Sequence, residues 1–408
     1  MSGSERVVVI GAGQASGQLV DSLRQEGFIG EIVLIGEEPF KPYQRPPLSK
    51  KYLAGEMTED RLLVRPEAFY EKNSITLRIN QRVDAIDRAN KQVVLASGEK
   101  IPYDKLAITT GTRVRKIPVP GADLNGVLYS RGIEDIAKMR EFLDSSPQVA
   151  IIGAGFIGLE TAAVLRKMGK EVTVIEMQDR VMPRVVAPIV SEFYQKAHES
   201  HGIVVRTNVT TAGFEGDANG RISAVLLGDG TRIPAQMAVV GIGVIPNVEL
   251  AQAAGLACDN GITVDEHART SDPDIVAAGD VANHPNHFYD RRVRIESVHN
   301  AVEQAKTAAA TLCGKTKVYE QYPWFWSDQF DLKLQMVGLS QGYDTTIVRG
   351  DMANGAFSVF YFQGDKLLAV DSINKPADHM QARRILNNCL TLTPAQAGDL
   401  GCDLKAIV

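Results

Sequence analysis

Apolar residues along the chain gather into short unbroken runs rather than long one-sided stripes, and two of these runs open the same pattern 142 residues apart. The first reads Val7-Val-Val-Ile-Gly11-Ala-Gly13-Gln-Ala-Ser16, the second Val149-Ala-Ile-Ile-Gly153-Ala-Gly155-Phe-Ile-Gly158. An apolar run without polar alternation suits a strand buried on both faces, and the glycines after it mark a tight turn into a helix. The first helix is predicted to run toward Gly27, a C-cap glycine, with Glu31–Ile35 as the next strand. The second covers Leu159–Met168, ends at Gly169 and leads into the strand Glu171–Ile175. This is the β-α-β opening of a doubly wound sheet, present twice.

Hairpin-like segments follow each copy. Val93–Ala96, Ser97-Gly98 and Lys100–Tyr103 read as a meander, as do Ile222–Leu227, Asp229-Gly230 and Arg232–Ala235. Each meander precedes a strand that ends in glycine: Leu106–Thr109 with Gly111, and Met237–Val240 with Gly241 and Gly243. From about Tyr319 the pattern changes to aromatic-rich alternation (Phe357–Phe362, Leu367–Val370) and a helical stretch, Ala377–Asn387. The expected fold is therefore α/β, with two Rossmann-like dinucleotide-binding domains and a smaller α+β domain at the C-terminus.

Composition narrows the class. A chain of 408 residues with 23% charged and 44% hydrophobic side chains is an ordinary globular protein of two or three domains. Its net charge of −5 gives no support to a nucleic-acid coat or a polybasic membrane anchor. The four apolar residues Val7–Ile10 are too few for a signal-peptide core, and no charge-free apolar stretch reaches the roughly 18 residues of a membrane span. The expected compartment is the cytoplasm. Cys258, Cys313, Cys389 and Cys402 are spaced by 55, 76 and 13 residues, matching neither a CxxC pair nor a metal-binding knuckle, and no metal is expected.

The glycine turns carry the first chemistry. In G-x-G-x-x-G the first glycine (Gly11, Gly153) makes the turn, and the second (Gly13, Gly155) lets a pyrophosphate approach the backbone. The third allows close helix–strand packing. Gly158 fills that third place in the second copy; the first copy has Ser16, small enough to keep the packing. An acid near the end of the next strand accepts from a ribose hydroxyl. Glu37 follows Gly11 by 26 residues and Glu176 follows Gly153 by 23. A carboxylate at 176 accepts from both ribose hydroxyls of NAD and repels a 2′-phosphate, favouring NADH over NADPH; the neighbouring Arg180 and Arg184 argue the other way.

Two such sites in one chain point to a flavoprotein with FAD and a nicotinamide. Further segments carry a family resemblance: Pro42-Tyr-Gln-Arg45-Pro-Pro-Leu-Ser-Lys50, Thr109-Thr-Gly111, Gly241-Ile-Gly-Val-Ile-Pro-Asn247 and Thr270-Ser-Asp-Pro-Asp-Ile-Val-Ala-Ala-Gly-Asp280. Glu296-Ser-Val-His-Asn-Ala301 and Pro323-Trp-Phe-Trp-Ser-Asp-Gln329 extend it. In these segments the chain resembles the FAD-dependent NADH:ferredoxin reductases of bacterial oxygenase systems, which have a glutathione-reductase-like fold. The resemblance implies an FAD domain (1-112 and 242-318) interrupted by an NAD domain (113-241) and followed by a C-terminal domain (319-408).

For FAD the resemblance implies Ala15, Glu37, Arg45, Lys50, Val83, Arg131, Asp280 and Val298, joined by the first turn (Gly11, Gly13, Ser16), Thr110, Gly111 and Gly279. Glu296 and Ser297 are placed there too, at the start of a helix, Ser297–Leu312, whose dipole would favour negative charge on the reduced flavin. Val83 rests on the resemblance alone. For NAD it implies the second turn (Gly153, Gly155, Phe156, Ile157, Gly158), Glu160, Glu176, Arg184, Gly241 and Gly243. Lys50 and Glu160 are placed together beside flavin N5, with Lys50 stabilising developing negative charge and Glu160 fixing its position. Trp326 is placed at the flavin edge on the electron-exit side.

The cysteines narrow the acceptor. Disulfide reductases of this fold need a redox pair, and the flavin peroxidases a cysteine in the first domain, whereas the first cysteine here is Cys258. Electrons are expected to leave directly to a [2Fe–2S] ferredoxin that supplies a cytochrome P450 or ring-hydroxylating dioxygenase. Rubredoxin, a quinone or an ascorbate radical is the alternative acceptor; an apoptosis-inducing-factor-like non-catalytic role is a further one. Arg291, Arg292, Arg294, Lys306, Lys333, Arg383 and Arg384 are candidate cations for an acidic partner. A monomer is expected.

Overall fold

The two apolar runs become the central strands of two parallel sheets. A computed structural model describes residues 5–408. The described chain divides into two compact units. One holds the residues through Arg45, Thr58–Arg113 and Ile245–Pro323; the other holds Pro46–Met57, Val114–Val244 and Trp324–Val408.

In the first unit five strands lie in the order Ile275–Ala277, Lys105–Ile108, Arg6–Ile10, Glu31–Ile35, Ile75–Arg78, all parallel. The run Val7–Ile10 is apolar throughout because both faces of the sheet are covered. Val7 and Val9 pack with the helices Gln14–Gln25 and Val298–Leu312 through Leu19, Leu23, Ala305 and Ala308. Val8 and Ile10 pack against the meander Val83–Asp87, Gln92–Leu95, Lys100–Pro102 through Ile86, Val93 and Ile101.

The second unit repeats the plan. Its strands lie in the order Val204–Arg206, Glu171–Ile175, Gln148–Ile152, Met237–Val240, Val127–Tyr129, again parallel. The meander Thr211–Gly216, Ile222–Leu227, Arg232–Pro234 covers one face, with Phe214 and Val225 packed against Ala150 and Ile152. The unit also contains a five-stranded antiparallel sheet: Trp324–Gln329, Leu332–Gly338, Lys366–Ile373, Ala356–Gln363, Thr345–Asp351. The helix Pro376–Asn387 follows that sheet. The α/β class with a smaller α+β portion is the one the sequence pattern predicts.

The third position of the glycine turn separates the two copies. A Cβ on Gly158 would lie 2.1 Å from the carbonyl oxygen of Gly153, which is rigid backbone. Ser16 is fully buried, and its Oγ donates to the Gly13 carbonyl at 2.9 Å. Gly158→Ala is therefore expected to cost about 1–3 kcal/mol through overpacking, against roughly 1 kcal/mol for Ser16→Ala through one lost hydrogen bond. Thermal midpoints of the two variants check the order.

Candidate active site

Each turn presents open backbone. Gly11 (φ +104°) and Gly153 (φ +101°) have a carbonyl oxygen, of Thr109 and of Gly241, 2.4 and 2.5 Å from where a Cβ would sit. Gly13 and Gly155, by contrast, have nothing within 4 Å of that position. Both are extended N-cap residues, of Gln14–Gln25 and Phe156–Lys167, and neither helix has a side-chain cap. Uncapped N–H groups beside an open glycine face are what a pyrophosphate requires, so the residues fit dinucleotide phosphates at both turns. Ala15, one residue into the first helix, meets Gly279 closely: a Cβ there would lie 3.1 Å from that of Ala15. The Gly279 N–H donates to Gln304 Oε1 at 2.8 Å.

The two acids are not equivalent. Gly36 and Glu176 are the first residues after their strands, donating N–H to Arg78 and Arg206 carbonyls respectively. At Gly36 a Cβ would meet that of Ala12 at 2.4 Å, so the first acid is displaced one residue on, to Glu37. Glu37 is exposed, 3.4 Å from Arg82. Glu176 is buried, its two carboxylate oxygens accepting from the N–H groups of Ala154 (2.8 Å) and Gln178 (2.9 Å). It therefore braces the second turn. Arg180 donates to the Pro183 carbonyl at 3.1 Å, Arg184 is exposed, and Ile157 is 45% exposed.

Arg45 is held by Glu38 (2.6 Å) and by the Tyr43 hydroxyl (2.9 Å). Thr112 Oγ1 donates to Asp280 Oδ2 at 3.4 Å, and Arg294 donates to the Asp280 carbonyl at 3.1 Å. Thr110 and Gly111 are clamped by Asn247: its Nδ2 donates to the Thr110 carbonyl (2.8 Å), its N–H to the Gly111 carbonyl (3.0 Å), and Thr110 Oγ1 donates back to its carbonyl (2.9 Å). Ser297 caps the helix, which begins at Val298, accepting from Asn300 N–H at 3.0 Å. Glu296 is exposed and paired with Arg294 at 2.7 Å. Arg131 precedes the helix Ile133–Leu143, its N–H bound to Asp135. Val83 is buried in the meander core. Gly241 donates its N–H to the Ile152 carbonyl at 2.7 Å, and Gly243 is open around its Cβ position.

Lys50 and Glu160 come together. The helical turn Leu48–Tyr52 breaks at Lys50 (φ −125°, ψ −114°), whose Nζ lies 2.9 Å from Glu160 Oε1. Glu160 is 4% exposed, and it also accepts from Ser327 Oγ at 2.8 Å and Ser49 Oγ at 3.1 Å. Burial pushes its carboxyl above the usual range, while Lys50 and the two hydroxyls hold it down. Trp326 is half-buried and lies tilted against Trp324, ring centroids 5.3 Å apart. Phe325, on the opposite face of that strand, packs on Phe156 at 4.8 Å. The sequence reading did not single out Ser49, Ser327 or Asn247 individually, although all three lie inside the quoted segments. Period-two alternation would have put Phe325, Ser327 and Gln329 on one face.

Comparison with known proteins identifies the family. The pyridine nucleotide-disulphide oxidoreductase family matches residues 5–305 and the reductase C-terminal family matches residues 324–408. The chain is similar to putidaredoxin reductase of Pseudomonas putida (45% identity, covering 100% of this chain and 98% of that one). It is similar also to rhodocoxin reductase of Rhodococcus erythropolis (46% identity, covering 98% and 94%). The solved covalent putidaredoxin reductase–putidaredoxin complex superposes with a TM-score of 0.96 at 45% identity, covering 100% of this chain and 98% of that one. No helix among the described residues is long and apolar enough to cross a membrane. The chain belongs to the pyridine nucleotide-disulphide oxidoreductase family and, within it, to the FAD- and NAD(H)-dependent ferredoxin reductases.

Proposed function

We propose that this reductase takes hydride from NADH in preference to NADPH and serves a [2Fe–2S] ferredoxin that supplies a cytochrome P450 or a ring-hydroxylating dioxygenase, acting as a cytoplasmic monomer. Bound FAD supplies the chemistry, accepting two electrons as hydride and releasing them singly. The observation that carries the reading is the buried Lys50–Glu160 pair. A lysine held by a carboxylate supplies fixed positive charge to a reacting group that becomes negative, and it needs no reorganisation to do so.

The remaining roles are those that the family resemblance implies. Residues 1-112 and 242-318 are assigned to FAD, 113-241 to NAD and 319-408 to the C-terminal domain. The first turn, with Ala15 and Ser16, holds the FAD pyrophosphate, and Glu37 takes a ribose hydroxyl. Arg45, Thr110, Gly111, Arg131, Gly279 and Asp280 bind along the cofactor, with Glu296, Ser297 and Val298 at the flavin end. Val83, its side chain committed to the core, contributes backbone. The second turn, with Phe156, Ile157, Arg184, Gly241 and Gly243, holds NAD. Trp326 lies on the route out. Among the candidate docking cations, Arg294 is the weakest, with an 11% exposed side chain paired to Glu296.

Glu176 tests the nicotinamide choice. Glu176→Ala removes both the ribose acceptor and the brace on Ala154, so the KM for NADH should rise about tenfold with NADPH affected less. Rapid-mixing measurement of flavin reduction with each nucleotide reads this; equal wild-type rates with NADH and NADPH would refute the preference. Turnover with a panel of ferredoxins, rubredoxin and quinones tests the acceptor, and rates with the right protein partner should fall as salt rises.

A further inference from the structure

Glu160 is the end of a longer chain of buried polar groups. Ser327 Oγ, which donates to Glu160 at 2.8 Å, lies 3.1 Å from Gln329 Nε2, and Gln329 Oε1 lies 2.8 Å from His198 Nε2. Ser327, Gln329 and His198 are each fully buried. Strand alternation places Ser327 and Gln329 on the face that carries Phe325, and His198 reaches them from the helix Pro188–Ser200.

With Glu160 ionised beside Lys50, only one assignment of protons satisfies the chain. The carboxylate accepts, so Ser327 donates to it. The Ser327 lone pair then takes the Gln329 amide N–H, and Gln329 Oε1 takes the His198 Nε2–H. The reverse amide orientation would set Gln329 Oε1 against a hydroxyl whose proton is already given to Glu160. His198 is thereby fixed as a neutral Nε2–H tautomer, and its buried Nδ1 has no hydrogen-bond partner among the described residues. Burial supports the neutral state, pushing the imidazole down to about 4. The three donors follow one another in a single direction, His198 to Gln329 to Ser327 to Glu160, and each polarises the next. Buried polar groups that served packing alone would cost stability relative to apolar side chains.

We propose that His198, Gln329 and Ser327 form a donor chain that fixes the orientation of the Glu160 carboxylate and keeps it ionised beside Lys50, making His198 and Gln329 remote positioning residues for hydride transfer. This rests on the reading of Lys50–Glu160 as the pair at the reacting flavin. The other titratable group facing Glu160 is Tyr194, on the helix of His198; burial pushes its phenol upward and leaves it neutral. His201, the C-cap residue of that helix, acts on His198 in the same lowering direction as burial.

The test uses the holoenzyme. Glu160 protonation is followed by infrared difference spectroscopy, its band identified by loss in Glu160→Gln, alongside the rate of flavin reduction at saturating NADH. Gln329→Leu and His198→Phe should each shift the Glu160 equilibrium about tenfold toward protonation. They should slow reduction by a similar factor with the KM for NADH unchanged. His198→Gln, which restores an N–H at the same reach, should recover both. Wild-type values in Gln329→Leu and His198→Phe overturn the proposal. A shifted equilibrium with unchanged reduction, in these variants and in Lys50→Met, supports the donor chain and overturns the placement of the pair at the flavin. Nitrogen-15 histidine spectra of the unaltered protein give a check that needs no variant: a His198 proton on Nδ1 overturns the chain.

Discussion

Lys50→Met is expected to lower stability by about 3–5 kcal/mol at neutral pH, the range found when one partner of a buried ion pair is removed. It should also slow reduction of the bound flavin by NADH about a hundredfold, the order lost with one preorganised electrostatic group. Both effects come from the same geometry. Glu160 has few exposed atoms and three donors, of which only Lys50 carries charge. Without Lys50 the carboxylate either stays ionised in an apolar site or takes up a proton. The sign with pH follows. Burial already raises the Glu160 carboxyl above its ordinary value, and removing the ammonium raises it further. A carboxyl raised in the folded state favours folding at low pH and loses that contribution as pH rises through its folded value. The variant should therefore approach wild-type stability near pH 5 and fall furthest behind at pH 8. Lys50→Met combined with Glu160→Gln should recover most of the stability and none of the rate. Urea midpoints across this range, with stopped-flow reduction rates, check both halves. A stability loss that did not change with pH would mean that Glu160 is not the group left uncompensated.

The sheets were legible because their signal is local. Val7–Ile10 and Val149–Ile152 are apolar at consecutive positions for one reason, coverage of both faces, and the first glycine after each run is required by backbone within 3 Å. The acids were legible only as a pair of spacings. Of the three residues by which those spacings differ, two come from the connection after the helix, five residues in the first copy and three in the second. The third comes from Glu37 sitting one position beyond the strand end because Ala12 crowds Gly36. Lys50 and Glu160 had no signal of their own. They lie 110 residues apart, and the short segment Pro46–Met57 groups with the second unit although its flanks belong to the first. Only the family resemblance brought the two residues together. The support from Ser327 and Gln329 lay in plain alternation along a segment whose two tryptophans drew attention to the other face.

Asp371→Asn should gain on the wild type by about 4 kcal/mol between pH 4 and pH 8, because it removes a carboxyl that the folded chain holds protonated across most of that interval. Asp371 lies on the strand Lys366–Ile373, 3% exposed, and accepts from the Tyr361 hydroxyl, which itself accepts from the Ala187 N–H at 3.0 Å. Burial pushes it up to about 7 from an ordinary 3.8, against the pull of the Tyr361 hydroxyl. Below pH 4 both folded and unfolded chains bind the proton. Between 4 and 7 only the folded chain does, so stability falls as pH rises, by about 1.4 kcal/mol per unit, and levels off above 7. Asparagine keeps an acceptor for Tyr361 and removes the titration. The wild-type curve alone would mislead, since His198, His284 and His379 are each pushed down to about 4 by burial. For them the unfolded chain binds more protons between 4 and 6.5, and stability rises with pH there. Those contributions are common to both proteins and cancel in the difference of urea midpoints. A difference that stayed flat from pH 4 to 8 would show Asp371 ionised throughout, and a cation would then have to stand against it.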